Sequence, residues 1–178
     1  MAIVLFAPSP TVAQYLGGGT KTANEVLSAD LAQLRDKFLA LADAIPADIW
    51  DWRPMPSVRS TRDVLILVTF EGSLFPTMWG FPSPEGVADG LQAEQERLGD
   101  LSPADLSTEL RRSYDHVIGV VEALDDDDRG RQVDFFGLTT DLGTALVLMA
   151  TDMHEHLGQL IAYARVNQVV PPWSEPPG

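Results

Sequence analysis

Residues 140–167 read TDLGTALVLMATDMHEHLGQLIAYARVN, and this stretch decides the fold of the chain. It contains no proline, and Thr140 and Asp141 supply oxygen-bearing side chains of the kind that begin a helix. Apolar residues then recur every three or four positions, so they share one helical face that should be buried. The members of that face are Leu142, Ala145, Leu146, Met149, Met153, Leu160 and Tyr163. The stretch therefore predicts a long amphipathic helix that packs against other helices.

Polar side chains interrupt this apolar face at Asp152 and His156, which are four residues apart and so within reach of each other. Glu71 interrupts the apolar face of an earlier helix in the same way. Carboxylates and imidazoles on facing helices are how helical bundles build metal sites. We therefore predict that His156, Asp152 and Glu71 bind one divalent metal, for which zinc, nickel, manganese and iron(II) are the candidates. Three protein ligands would leave an open position for water or substrate.

The same residues also permit a structural interpretation without any metal. Asp152 can accept a hydrogen bond from His156 and form a stabilising pair. Glu71 can lie partly exposed, or it can pair with Arg53 or Arg165. Both interpretations stay open at the level of sequence.

Three further long helices and one short helix are predicted upstream. Each has a recognisable beginning, such as Ser60 as an N-cap or Ser102 followed by Pro103. An acidic run, Asp125 to Asp128, should end the last of them and fray its C-terminus, because negative charge is unfavourable there. No segment has the alternation of a strand. The predicted ranges are about 22–44, 60–78, 91–98 and 102–124, and with the final helix they indicate an all-α four-helix bundle.

Composition restricts the class of protein. The 178 residues contain 12 Lys and Arg against 26 Asp and Glu, a formal net charge of −14, which argues against nucleic acid as a partner. No apolar run is long enough for a membrane span, so we expect no membrane partner. Cysteine is absent, which excludes disulfides and a cysteine nucleophile. We expect one domain over residues 21–173, with an N-terminal arm at 1–20 and a tail at 174–178.

The N-terminal residues bear on the compartment. Residues 1–6 are apolar, but no Lys or Arg precedes them, so they make a poor secretory signal. We therefore expect a cytoplasmic protein. It would be exported if the sequence begins inside a longer signal peptide.

Aromatic residues cluster near the helix ends. The segment 50–56 contains two prolines and cannot be regular helix, and it carries Trp52 and Arg53. Together with Trp79, these residues are candidates for binding a small-molecule substrate at one end of the bundle. Aromatic side chains equally suit a plain core.

The last helix contains His154-Glu155-His156-Leu157-Gly158-Gln159, followed by Arg165 and by Pro171-Pro172. This pattern resembles the DinB/YfiT-like superfamily, whose last helix carries a His-x-Gly-Gln segment and then an arginine. The segments 52–54 (Trp-Arg-Pro) and 58–60 (Val-Arg-Ser) are also similar to that family. The resemblance covers about residues 24–172. It implies a four-helix bundle with up-down-down-up connectivity, and a homodimer as the expected assembly.

The resemblance also implies a metal site. Many members bind a divalent metal through three histidines, one on the second helix and two spaced four apart on the fourth. His156 matches the last of these, Asp152 occupies the position of its neighbour, and Leu67 lies near the position of the second-helix ligand. Glu71, one turn beyond Leu67, is a candidate replacement.

Two functions are compatible with this altered triad. The first is a DinB-like protein with a modified or degenerate metal site, a relic of the metal-dependent thiol S-transferase or hydrolase chemistry that the resemblance implies. The second is a non-enzymatic homodimeric bundle that binds a small ligand, with Asp152 and His156 as a structural pair. The loss of two histidines argues against catalysis, and enzyme status stays open.

Overall fold

In the computed structural model, which describes residues 20–174, the chain is mostly helical. The helices are α1 (Ala23–Ala44), α2 (Thr61–Met78), α3 (Leu91–Gly99), α4 (Pro103–Ala123), α5 (Asp126–Gly130) and α6 (Leu142–Val166). Between α5 and α6 lie two strands, β1 (Gln132–Phe135) and β2 (Leu138–Asp141). Short 3₁₀ turns occupy Ala47–Ile49 and Pro172–Ser174. The four long helices and the short helix at residue 91 confirm the ranges expected from the apolar pattern.

The ends of the chain limit what can be compared. Residues 1–19 and 175–178 lie outside the described part, so the predicted arm at 1–20, the signal-like segment and most of the tail at 174–178 stay predictions.

Side-chain caps set where the long helices begin. Ser60 accepts a hydrogen bond from the Asp63 amide (3.1 Å), and the Asp63 carboxylate accepts one from the Ser60 amide (2.8 Å). Thr22 and Glu25 form the same reciprocal box at the start of α1. At α6, Asp141 accepts from the Thr144 amide at 2.8 Å. These bonds satisfy amide donors that have no partner within the helix.

The core lies among the four long helices. Helix α4 packs against α1 and α2, and α6 packs against the same two helices, while α3 covers part of α2. Tyr114 of α4 is fully buried against Phe38 of α1, with 6.0 Å between ring centroids. Trp50 closes one end and donates its indole N–H to the Ile45 carbonyl at 3.2 Å. This shared core fixes α2 and α6 side by side, which positions the site described below.

The purely helical expectation was wrong for residues 132–141, which form an antiparallel hairpin. Phe135 pairs with Leu138, so Phe136 and Gly137 make a two-residue turn, both with positive φ (54° and 81°). The strands have only four residues each, too few for a clear alternation. The hairpin is held by tertiary contacts, since Val133 is buried and the Trp79 indole N–H donates to the Asp134 carbonyl at 3.1 Å.

The acidic run also behaves differently from the expectation that it would fray α4. Helix α4 ends at Ala123, with Leu124 as its C-cap, and Asp125 caps the next helix, α5, by accepting from the Asp128 amide at 2.8 Å. Negative charge is favourable at a helix N-terminus, so the same aspartates stabilise α5. Arg129 then donates to the Asn24 side chain at 2.6 Å and ties α5 to the start of α1.

Among residues 20–174, none of the helices combines the length and the apolar character needed to cross a membrane.

We expect Ser60→Ala to lower the free energy of unfolding by about 1 kcal/mol, because it removes one half of a capping box at a fully buried N-cap. In a domain of this size the thermal midpoint should fall by about 2–4 °C. Calorimetry of both proteins measures the difference. Ser57→Ala, at an exposed position before the helix, is the control and should melt like the wild type. Equal midpoints for the two variants would contradict the role of the cap.

Candidate metal centre

The structure brings the three predicted ligands together. Glu71 lies in the middle of α2, and Asp152 and His156 lie on successive turns of the adjacent helix α6. Each offers one ligand atom, and the three atoms all lie within 4.8 Å of one another. Glu71 is buried, the His156 side chain is 13% exposed and that of Asp152 is 48% exposed. The group therefore has a buried side at Glu71 and an open side at Asp152.

Burial makes Glu71 the unusual member of this group. Burial, and next the charge of Asp152 and a hydrogen bond to it, raise the pKa of Glu71 to about 9, against a weaker opposing influence of Arg59. Its Oε2 atom is buried without any hydrogen-bond partner. A buried oxygen without a partner is costly, and two adjacent carboxyl groups cannot both ionise cheaply. A divalent cation would replace the shared proton and satisfy this oxygen, so the donor set fits a metal.

His156 contacts a polar group at each ring nitrogen. Its Nε2 lies 3.3 Å from Asp152 Oδ2, and its Nδ1 lies 3.3 Å from Gln159 Oε1. The Gln159 amide donates to the Tyr163 hydroxyl (2.7 Å), which donates to the Arg59 carbonyl (3.1 Å).

This chain of hydrogen bonds has only one direction. A carbonyl oxygen can only accept, so the Tyr163 hydroxyl must donate to Arg59 and accept from the Gln159 nitrogen. The Gln159 oxygen then faces His156, and Nδ1 of the imidazole must carry the proton. Nε2 is left to face Asp152, either as a ligand with a free lone pair or, without a cation, as a protonated partner of the carboxylate.

The Asp152–His156 contact is compatible both with a metal site and with a structural pair that binds no metal. The structural pair accounts for this contact, but it leaves Glu71 Oε2 without a partner. Glu71 is buried and not partly exposed, and Arg53 pairs with Asp63 at 3.2 Å. Among the described residues Glu71 forms no ion pair with Arg165 either, and its Oε2 has no hydrogen-bond partner.

A cavity of about 970 Å³ opens beside the three residues. Its volume is that of a site for a small organic molecule. Most of its walls are apolar, and its polar residues include the triad, Arg59 and Glu155. The apolar lining consists of Leu67, Phe70, Leu74, Phe75, Met78, Leu91, Phe135, Phe136 and Leu148.

The three predicted substrate-binding residues are not among those that line the cavity. Trp52 packs edge-on against Tyr163, with 5.5 Å between centroids. Arg53 is held by Asp63, and Trp79 is buried and bonded to the hairpin. Their role in substrate binding stays a prediction to which this placement lends no support.

Sequence reasoning missed Arg59 and the two hairpin phenylalanines as cavity residues. Arg59 directly precedes the N-cap Ser60 of the helix that carries Glu71, and this position was the sequence feature from which its place at the cavity could have been predicted. Phe135 and Phe136 gave no signal, because the hairpin itself was not predicted.

The other two histidines lie apart from the candidate metal centre. His154 Nε2 contacts Asp30 of α1 at 2.9 Å. His116 has a buried Nε2 without a partner, and burial lowers its pKa.

We expect Glu71→Gln to raise the stability of the metal-free protein near pH 7 by on the order of 3 kcal/mol, because the wild type must keep Glu71 neutral in the fold while its unfolded chain ionises it, and Gln does not titrate. The wild type itself should lose stability as the pH rises from about 4.5 towards 9. Over that range the unfolded chain ionises Glu71 while the folded chain keeps its proton, with a limiting slope of about 1.4 kcal/mol per pH unit. Urea unfolding in EDTA at pH 6 and pH 8 measures this slope.

Glu71→Gln should lack that contribution to the pH dependence. The control is Glu155→Gln, an exposed carboxylate at the same cavity, which should keep the wild-type slope. Identical slopes for Glu71→Gln and the wild type would contradict the assignment of a neutral Glu71.

Comparison with known proteins agrees with this fold. A family model of the DinB superfamily matches residues 30–160. The crystal structure of a DinB-like protein, YjoA from Bacillus subtilis, is similar with a TM-score of 0.61 and 17% identity, covering 80% of this chain and 91% of that chain. At this identity the likeness concerns the fold alone, and a search of curated proteins gave no match. The family match spans well over half of the sequence and confirms the resemblance seen in the last helix. The chain belongs to the DinB superfamily.

Proposed function

We propose that this protein binds one divalent metal ion through Glu71, Asp152 and His156, with an open coordination position towards the cavity, where a small molecule binds. The observation that carries the proposal is the buried, partnerless Oε2 of Glu71 within reach of the other two ligand atoms. The four long helices would form the up-down-down-up bundle that the family resemblance implies.

The donor set bears on the choice of metal. Two carboxylates and one imidazole are harder ligands than the three histidines of the resemblance, and harder ligands suit manganese and iron(II) better than a purely imidazole site does. Zinc and nickel remain compatible with the imidazole. We therefore propose manganese or iron(II) ahead of zinc and nickel.

The chain's own residues would prepare this site for chemistry. A bound divalent metal supplies a Lewis acid that lowers the pKa of a water or thiol at its open position. Gln159 and Tyr163 hold the His156 ring in one orientation, and the apolar walls of the cavity restrict water. A transferase or hydrolase reaction on a small molecule is the activity that suits this arrangement.

A second candidate is a non-enzymatic protein that binds a small ligand, as a homodimer. It is favoured by the Asp152–His156 contact, which forms a stable pair without metal, and by the largely apolar walls of the cavity. Metal content separates the two candidates.

We expect protein purified without a metal column to contain about one divalent metal per chain. Metal at 100 times its dissociation constant should raise the thermal midpoint by about 5–10 °C over the protein in EDTA, which corresponds to about 2.7 kcal/mol. Mass spectrometry and thermal melts with manganese, iron(II), zinc and nickel measure both quantities. His156→Ala and Glu71→Gln should lose the metal and the shift.

His154→Ala is the matched control, since His154 lies two residues away and contacts Asp30 instead of the triad. It should keep both the metal and the shift. A wild-type protein without metal and without a shift would refute the metal site and leave the ligand-binding candidate.

We expect Gln159→Leu to weaken metal binding by about 10–100-fold, because it removes the acceptor that holds Nδ1 of His156. Gln159→Glu should retain the affinity, since a carboxylate accepts the same hydrogen bond. Competition with a fluorescent chelator gives the dissociation constants. Equal losses in the two variants would mean that Gln159 acts through packing and not by orienting the imidazole.

A further inference from the structure

The hairpin turn contains a residue that is badly suited to its backbone. Phe136 has φ of +54°, a left-handed conformation that residues with a β-carbon rarely adopt. Two-residue turns of this kind favour Asn, Asp or Gly at that position. Phe136 is also 70% exposed, so burial of its ring does not compensate for the strain. Strained residues that are exposed at a cavity are candidates for a role in binding.

The conformation of the turn places the Phe136 ring in a group of phenyl rings. Its centroid lies 5.5 Å from that of Phe75 on α2 and 5.0 Å from that of Phe135, both in edge-to-face geometry. Phe75 also contacts Phe135 at 5.9 Å and Phe70 at 6.2 Å. All four rings line the cavity, and we call them the phenyl wall.

The phenyl wall and the metal centre belong to the same cavity. Its volume of about 970 Å³ is enough for one molecule that reaches both. Aromatic rings prefer edge-to-face or offset contact with other rings, so the phenyl wall selects a flat aromatic group. The polar residues of the same lining include the triad and the cationic Arg59, which suit a head group that ligates metal.

We propose that the cavity binds a small aromatic molecule whose ring packs against Phe75, Phe135 and Phe136 and whose metal-ligating head group lies at Glu71, Asp152 and His156. The position of the head group rests on the proposed metal site, whereas the aromatic half does not. The phenyl wall therefore selects the substrate class, and Phe136 is a specificity-determining residue held in place at the expense of backbone strain.

The first experiment uses a neutral aromatic probe, N-phenyl-1-naphthylamine, whose fluorescence rises in apolar surroundings, with the full-length protein in EDTA. The wild type should bind it. Phe136→Asn should weaken binding about fivefold, the effect expected for loss of one aromatic contact. The same variant should raise the thermal midpoint, because Asn-Gly is a preferred sequence for this turn.

Weaker probe binding together with a higher thermal midpoint in Phe136→Asn would show that the variant has lost a contact with the probe and that its fold is not damaged. Leu138→Thr is the control, since Leu138 is 72% exposed on the same hairpin and does not line the cavity. It should leave the affinity for the probe unchanged. No binding by the wild type, or equal affinity of the wild type and Phe136→Asn, would overturn the aromatic assignment.

The second experiment tests the head group with metal-loaded protein and two hydroxamic acids. 2-Naphthohydroxamic acid should bind at least about tenfold tighter than acetohydroxamic acid, and Phe136→Asn should weaken only the aromatic compound. If the protein takes up no metal, acetohydroxamic acid should fail to bind, while N-phenyl-1-naphthylamine and, through its naphthyl ring, 2-naphthohydroxamic acid should still bind, which would refute the proposed metal site alone. Equal affinities of the two hydroxamates for metal-loaded wild type would overturn the shared cavity.

Discussion

Two carboxyl groups face each other between α2 and α6, and the chemistry of the molecule follows from the burial of one of them. Glu71 is withdrawn from water beside Asp152, and its pKa rises to about 9. Something positive must then accompany the pair, either a proton or a cation. Arg59 opposes the shift but does not cancel it. The same geometry therefore suits a hydrogen-bonded acid pair without metal and the proposed ligand set with one, and binding of a metal there would release a proton.

The geometry of this pair depends on how α2 begins. The Ser60 capping box fixes the backbone at the first turn, and the carbonyl of the preceding residue, Arg59, accepts from Tyr163 of α6. That bond ends the chain of hydrogen bonds that starts at His156. The cap of one helix is thus connected, through Tyr163 and Gln159, to the orientation of an imidazole on another. A change at the start of α2 would therefore alter the candidate metal centre even though none of its three candidate ligands is substituted.

The apolar pattern was sufficient to locate the long helices and to bring Glu71, Asp152 and His156 to one place. Each of these residues interrupts a strong helical stripe, and a stripe determines which side of a helix is buried. The hairpin could not be located in this way, because Trp79 and the phenyl rings hold it from other parts of the chain. The acidic run was misjudged for a related reason. Four aspartates are unfavourable at the C-terminus of a helix but favourable at the N-terminus of the next one. Only the break in the helix at Leu124 shows which of the two positions they occupy.

The proposed site has two carboxylates in place of two of the three histidines that the family resemblance implies, and this difference bears on what a bound metal could activate. Three neutral imidazoles would leave a bound divalent ion with its full charge, whereas two carboxylates and one imidazole would neutralise it. A neutralised ion would be a weaker Lewis acid, so it would lower the pKa of a bound water less, whereas a thiol, whose pKa of about 8.5 is already near neutrality, would still ionise readily. The position of the proposed ligand Glu71 has a further effect, since Glu71 lies one helical turn along α2 beyond Leu67, near which the family resemblance implies a ligand. This difference of one helical turn places the proposed metal site nearer in sequence to Phe70 and Phe75. Leu67 itself then adds to the apolar lining of the cavity. If the proposed metal binds, both features suit an acidic head group on an apolar body, and of the two proposed reactions they favour transfer involving a thiol over hydrolysis by a metal-bound water.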